Sequence, residues 1–508
     1  MTNFYDSVVA RRHAADRLFA ALSDGRHYTY SDVEAVSARF ANVLTDCGVA
    51  AGDRVAVQVP KSIEGLMLYL ATLRVGAVFL PLNTGYTPRE VEAFLLDAAP
   101  RLFVCDPEAR AELRPVAERA GARLETLGVR RTPHISAGTL AHRGLDASAS
   151  FATVPRDDDD HAALLYTSGT TGRSKGAMLT HENLRSNAAA LMTNWRFTAA
   201  DILLHALPIF HTHGLFVATN ITLLSGCRML FLPRFDADEV IDHLPQASVM
   251  MGVPTFYTRL LATPRLTAAL AAHMRLFVSG SAPLAPETHA QWRARTGHAI
   301  LERYGMTETG MITSNPYDGE RRAGTVGFPL PGVSLRIADP ATGEHLPDGE
   351  IGMIEVKGPN VFKGYWRQPD KTAAEFRHDG FFITGDLGMR DEQSYVHIVG
   401  RGKDLIITGG LNVYPREIEN AIDEIPGVAE SAVIGIAHPD FGEGVTALVV
   451  PAAGATLDEK SVLAALQPRL ARFKLPKRVL VVPELPRNAM GKIEKAVLRK
   501  AHADLYAG

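Results

Sequence analysis

The 508-residue chain has 53 basic and 56 acidic residues and a formal net charge of −3, which excludes a global basic field and with it nucleic acid as a favoured partner. Its 46% hydrophobic content provides for large buried cores, at a length that the usual domain size divides into about three units. No apolar run reaches the roughly 18 to 20 residues that span a bilayer, residues 1–13 lack the apolar core of a signal peptide, and Cys47, Cys105 and Cys227 are widely spaced among apolar neighbours, so the chain reads as cytoplasmic, with reduced thiols and no membrane partner.

Taken in order, Ser31 reads as the N-cap of a helix, Arg54–Val59 as a buried strand, Glu64–Val75 as a helix and Val78–Pro81 as another strand. That alternation is the signature of a wound α/β sheet. The acidic run Asp157–Asp160 reads as a solvated linker. It precedes Ala162–Tyr166, an apolar run expected to be a strand that ends in the loop Thr167-Ser-Gly-Thr-Thr-Gly-Arg-Ser-Lys175-Gly176. The α/β texture resumes with a helix near Glu182–Met192 and strands at Arg228–Leu232 and Arg275–Ser279. From about Gly324 short β segments broken by Gly, Pro and Asp suggest a small antiparallel or barrel-like unit. Beyond Gly400–Asp404 a compact α/β tail follows, with strands near Ala432–Ile436 and Thr446–Val450, a helix from about Leu457 to Leu470, and a strand at Arg478–Val482.

The loop is the most informative segment. Gly169, Gly172 and Gly176 let the backbone approach an anion closely, and the hydroxyls of Thr167, Ser168, Thr170 and Thr171 add donors to the charge of Lys175. It is not a Walker A loop, because Ala177 and no hydroxyl follows Lys175-Gly176, and its glycines miss the dinucleotide spacing.

Five further segments line up with it: Pro208-Ile-Phe-His-Thr-His-Gly214, Tyr304-Gly-Met-Thr-Glu-Thr309, Asp379-Gly-Phe-Phe-Ile-Thr-Gly-Asp386, Gly400-Arg-Gly-Lys-Asp404 and Pro486-Arg-Asn-Ala-Met-Gly-Lys492. In this order and at these separations they resemble the adenylate-forming superfamily of acyl-CoA synthetases, luciferases and peptide-synthetase adenylation domains, over essentially the whole chain. Within it the sequence is most similar to malonyl-CoA synthetases. The resemblance implies a large N-terminal domain, 1–402, of wound α/β sheets with a β-rich, barrel-like unit at about 324–400, and a small mobile α+β domain, 403–508, carrying the catalytic lysine.

The implied reaction joins malonate, and in many such enzymes methylmalonate, to coenzyme A at the expense of ATP. A carboxylate attacks the α-phosphate to give an acyl-adenylate and pyrophosphate, and the CoA thiol then displaces AMP. Two anions meet in the first half, so cation density is the central requirement. By resemblance Lys492 bridges carboxylate and α-phosphate, Thr307 contacts that phosphate and Glu308 holds Mg²⁺. Tyr304 stacks on adenine, with Gly280, Ser281, Ala282, Glu302 and Arg303 lining the slot and Gly305 and Met306 continuing it. Asp386 accepts the ribose hydroxyls and Arg401 adds a ribose or phosphate contact. Lys403 is the implied hinge, with Asp404 in reserve, and Gly409 and Gly410 meet the pantetheine arm of CoA. Lys492 is also the implied target of a lysine acetyltransferase and deacetylase, and the assembly a monomer or homodimer.

For the acid, His211 and His213 lack a third partner at zinc-ligand spacing. His211 instead matches the position that gates the acyl pocket, whose walls come from Val253, Ser279 and Met306. A second carboxylate buried there needs a cation. Arg234, after the strand Arg228–Leu232, is the expected one, with Arg275 and Arg303 as alternatives. Competing readings are a general short-chain or aryl acyl-CoA ligase with an apolar pocket, and a stand-alone adenylation enzyme that loads a carrier protein.

Overall fold

The computed structural model describes residues 3–9, 14–129, 138–167, 175–409, 411–488 and 491–506. A first sheet has six strands in the order Arg123–Thr126, Leu102–Cys105, Arg54–Gln58, Val78–Pro81, His161–Thr167 and Lys175–Thr180. Its neighbours run parallel except the last pair, an antiparallel hairpin in which Thr167 faces Lys175. Strands such as Val78–Pro81 and Leu102–Cys105 are buried throughout, which explains their unbroken apolar sequence.

A second, nine-stranded sheet has at its centre the parallel strands Leu301–Met306, Leu276–Ser279, Val249–Gly252, Ile202–His205, Arg228–Phe231 and Leu18–Leu22. The helix Ile63–Arg74 is buried at every residue but Glu64. Being apolar all round, it has no solvent face to offer and belongs inside a large core. That core joins Val55 and Phe79 of the first sheet, Leu66 and Leu70 of the helix, and Leu203, Val249 and Leu276 of the second sheet.

The β-rich stretch forms an antiparallel sheet of Ser334–Ala338, Gly352–Lys357, Phe382–Arg390 and Val396–Arg401. The small C-terminal domain has its own sheet, in which Gly442–Pro451 pairs with Val428–His438, Ile406–Thr408 and Arg478–Val481, and Leu411–Val413 closes the edge. A separate apolar cluster including Ile418, Val433, Val445 and Val462 fills it.

Two local expectations are corrected, and a third gains detail. The first long helix, Tyr30–Asp46, is capped by Thr29 and not by Ser31, because the Thr29 side chain accepts from Asp32 N while Asp32 reaches back to the Thr29 backbone. The helix expected over Leu457–Leu470 spans only Glu459–Leu466. Asp458 caps its start, and Pro468, which has no N–H to donate to the carbonyl four residues back, cannot extend the hydrogen-bond ladder beyond the helical Gln467 cap. The solvated linker expected at Asp157–Asp160 is a mostly exposed turn, in which Asp158, Asp159 and Asp160 also pair with Arg185, Lys363 and Arg156 at 2.9, 2.7 and 3.0 Å.

Candidate active site

Four parallel strands of the second sheet end at His205, Gly252, Ser279 and Met306, and the carboxyl ends of such strands are where open α/β sheets bind ligands. Just beyond, His213–Thr219 is wound as a π-helix, a form concentrated at functional sites. It packs tightly enough that a Cβ on Gly214 would lie 2.0 Å from the Pro208 carbonyl oxygen. Ser281 takes a left-handed φ of 71°, a strained conformation for a residue with a Cβ.

On the side expected to hold the nucleoside, the Tyr304 hydroxyl donates to Asp386 Oδ2 at 2.5 Å, and Arg401 Nε lies 2.8 Å from Asp386 Oδ1. Asp386 and Arg401 face each other across paired strands. Burial, reinforced by the Asp386 charge, pushes the Tyr304 phenol well up. Each Asp386 oxygen keeps a further lone pair for an incoming hydroxyl. Glu302 is buried on the same strand: Oε1 accepts from Leu284 N at 3.0 Å, and Oε2 has no partner. Burial raises its carboxyl to about 7, against the hydrogen bond from Leu284 and the charge of Arg416 in the small domain.

Glu308 is also buried, and burial raises its pKa. Its Oε1 lies 3.1 Å from the Tyr365 hydroxyl oxygen. Among the described residues no group of three or more His, Cys, Asp or Glu closes around a metal. One buried carboxylate, linked through Tyr365 and Glu375 to Lys175, is nonetheless a donor set that fits Mg²⁺, which takes one or two carboxylates and completes its shell with phosphate oxygens and water. Thr307 is half-buried next to Glu308.

Ser168, Gly169, Thr170, Thr171, Gly172 and Gly410 lie outside the described residues. The loop's two ends do not: Thr167 and Lys175 pair as strand partners. Lys175 Nζ contacts Glu375 Oε1 at 2.9 Å, and Glu375 Oε2 accepts from Tyr365 at 2.6 Å. Sequence reasoning missed Tyr365, Lys371 and Glu375, which sit in no motif and come to Lys175 because residues 364–366 pair with the strand that begins there.

On the acid side the structure separates the three candidate arginines. Arg234 is exposed past the end of Arg228–Phe231, with no ion pair or hydrogen bond to its side chain among the described residues. Arg275 is neutralised by Asp201, at 2.6 and 2.8 Å. Arg303 is buried, and its Nε and Nη2 have no partner. Burial lowers its pKa to about 9, which still leaves it a cation at neutral pH. His211 and His213 lie in its field; burial first, and then Arg303, pushes His211 to about 4 and His213 well below its ordinary value. His213 Nε2 and Ser279 Oγ are likewise buried without partners, while Ser281 Oγ lies 3.3 Å from His213 Nδ1. Val253 is buried and Met306 half-buried at the ends of their strands.

The small domain is turned toward this cleft. A Cβ on Gly491 would lie 3.4 Å from Thr255 Oγ1 of the large domain. The neighbouring Lys492 keeps its solvent access, yet its pKa is lowered, by the protein around it first and then by Arg401 and Lys403, with Asp386 and Asp404 opposing. Lys403 lies in a short turn, Gly402–Asp404, whose Asp404 is held by Arg499 at 2.6 Å. Gly409 is not part of this assembly: the side of it where a Cβ would sit meets only Phe441 of its own domain.

Comparison with known proteins gives the arrangement a context. The AMP-binding enzyme profile matches residues 7–366 and the AMP-binding enzyme C-terminal domain profile matches 417–492. A malonate–CoA ligase of Arabidopsis thaliana is 34% identical over 96% of this chain and 87% of its own, and a feruloyl-CoA synthase of an Amycolatopsis species 37% identical over 97% of both. Among solved structures, ATP-bound MatB from Rhodopseudomonas palustris is 58% identical over 99% of each chain with a TM-score of 0.96. The apo form of that protein, at the same identity and coverage, gives 0.85. The present chain thus superposes more closely on the ATP-bound structure of that protein than on its apo structure.

Proposed function

The chain belongs to the AMP-binding enzymes, and on that premise we propose that it ligates malonate to coenzyme A through an acyl-adenylate, releasing AMP and pyrophosphate. Methylmalonate, which differs by one methyl group, is the second acid of this reading. MatB and the plant malonate–CoA ligase support the choice of acid.

In the first half a malonate oxygen attacks the α-phosphorus and the bond to pyrophosphate breaks. Lys492 lies between the two anions, where a compact charge with three rotatable donors follows the moving oxygens. Thr307 donates to the α-phosphate. Glu308 would hold Mg²⁺, which would supply charge neutralisation at the phosphates. Tyr304 offers its ring to adenine, and Asp386 and Arg401 take the ribose hydroxyls. The Thr167–Lys175 loop, with Ser168, Gly169, Thr170, Thr171 and Gly172, grips the β- and γ-phosphates. In the second half the small domain turns about Lys403, Lys492 withdraws, Gly409 and Gly410 come against pantetheine, and the thiolate attacks the adenylate carbonyl as AMP leaves.

The observation that carries malonate is Arg303, a buried guanidinium with two unpaired nitrogens beside His211, His213 and Ser279. Such a cation is costly unless an anion arrives to pair with it. A distal carboxylate is that anion; the tail of a ferulate or fatty acid is not. The reading therefore moves the role expected of Arg234 to Arg303, while His211, Val253 and Met306 remain the pocket walls. Lys492, being exposed, is open to acetylation, which would remove its charge. The buried free thiols fit a reducing cytoplasm.

The test is ATP-dependent pyrophosphate release with acetate, propionate, malonate, methylmalonate, succinate and ferulate, with and without CoA. A malonate optimum and CoA-dependent turnover are expected. A ferulate or acetate optimum would replace the acid, and turnover only with a phosphopantetheinyl protein would replace the acceptor.

A further inference from the structure

One strong anchor near the phosphate loop has no part in the reaction described so far. Glu375 follows the short helix Pro369–Ala374, two hundred residues from Lys175, and gathers three donors. Lys175 Nζ and Lys371 Nζ reach its Oε1 at 2.9 and 2.8 Å, and Tyr365 Oη reaches its Oε2 at 2.6 Å. The same tyrosine hydroxyl lies 3.1 Å from Glu308 Oε1, and Lys175 Nζ sits 4.8 Å from the centre of the Tyr365 ring. The backbone makes this assembly stiff. Trp366 N donates to the Gly176 carbonyl at 2.7 Å and Met178 N to the Gly364 carbonyl at 3.0 Å, so residues 364–366 are knitted to the strand that begins at Lys175.

We propose that Glu375 is a positioning residue for ATP: it holds the Lys175 ammonium, through Tyr365 in register with Glu308, at the place where the terminal phosphates dock. The inference rests on the AMP-forming reading above. A free lysine side chain has about 2 kcal/mol of rotamer entropy to lose when it meets a phosphate. Lys175, only 11% exposed at its side chain, has already been ordered by Glu375 and by the ring beneath it. Ordering before binding leaves more of the interaction to appear as affinity. Glu375 need not release the ammonium, since one of three N–H donors serves the carboxylate and two stay available. Lys371 keeps the cluster from becoming net negative, which would otherwise repel the phosphates.

The test is steady-state pyrophosphate release, varying ATP and malonate separately, together with ATP binding in the absence of acid, for the wild type, Glu375→Gln, Lys175→Met and the double variant. Glu375→Gln keeps the shape and removes the charge. The expected result is a rise of about tenfold in ATP KM and in ATP Kd, about 1.4 kcal/mol, with malonate KM and kcat at saturating ATP within about twofold. In the Lys175→Met background Glu375→Gln is expected to cost little more, since its partner is already gone. An unchanged ATP Kd, additive effects in the double variant, or equal losses in kcat for both substrates with a lowered Tm would overturn the proposal, the last marking a purely structural carboxylate. If Glu375→Gln fails to fold, Glu375→Asp is measured instead, and an ATP Kd unchanged there counts equally against it. Failure of the wild type to release pyrophosphate with any acid would refute the AMP-forming reading itself, a result separate from any difference between variants.

Discussion

The Arg303 guanidinium lies flat against the backbone of Gly280, so close that a Cβ at that glycine would come within 2.4 Å of the guanidinium carbon. No other residue type fits there without displacing the cation. Gly280 and Arg303 thus form one unit at the ends of adjacent strands: Gly280 follows Leu276–Ser279, and Arg303 lies within Leu301–Met306.

Gly280→Ala is therefore expected to act on the acid rather than the nucleotide. Malonate KM should rise at least about tenfold as Arg303 is pushed off its seat, the scale of breaking a buried charge pair, while acetate turnover holds or rises. Arg303→Met should do the same, and Arg234→Ala should leave malonate KM within about twofold. Should Arg234→Ala carry the larger effect, the distal carboxylate belongs to Arg234 after all.

Lys492→Ala is expected to abolish most adenylation, by about 10²-fold or more, as for the loss of a preorganised charge at a transition state. Because the side chain is exposed, Tm should move by less than about 2 °C. Lys175→Met should instead weaken ATP use and leave a larger residual rate at saturating ATP. Single-turnover formation of the adenylate reads both.

Glu302 gives a pH signature. Its folded pKa, about 7, is raised above its ordinary value, so its contribution to stability is fully present below the unfolded pKa and is lost as pH rises through about 7. Glu302→Gln keeps an acceptor for Leu284 N and removes the buried charge. The variant should melt higher than the wild type at pH 8 and lose that advantage by pH 5, with an upper bound on the order of 3 kcal/mol. Thermal melts at the two pH values decide it, and a gain confined to pH 5 would reverse the assignment.

Gly214→Ala places a methyl group against the Pro208 carbonyl and should unseat the π-helical turn that carries His213. A drop in Tm together with loss of activity on every acid is expected, with losses of about 1–3 kcal/mol, typical of overpacking. Loss confined to malonate would show that only the acid pocket had moved.

The motifs were legible because their chemistry is local. A Gly- and Thr-rich loop, the Tyr304–Thr309 segment, Asp386 and Lys492 fall in short contiguous motifs, and it is their order and spacing that resemble one family. The Asp386–Arg401 pair follows directly, since antiparallel register sets the two residues opposite each other. The acid pocket was not legible in the same way. Arg234 was favoured for its place after a strand, but exposure and charge partners are three-dimensional properties, and they set Arg303 apart from Arg234 and from the neutralised Arg275. The same holds for Glu375, whose approach to Lys175 needs the backbone bridge between Ala177 and Tyr365.

By itself the sequence determined the class of chemistry, the wound sheets with a small C-terminal domain, and the candidate residues for a nucleotide. Those depend on backbone periodicity and on functional groups confined to a few adjacent positions. The tertiary structure alone decided which cation is buried without a partner, which carboxylate holds the loop lysine, and that Lys492 lies in the electrostatic reach of Arg401 and Asp386. Each of these depends on distances between segments separated by up to 200 residues, and on how much water the surrounding side chains exclude, which no local pattern encodes.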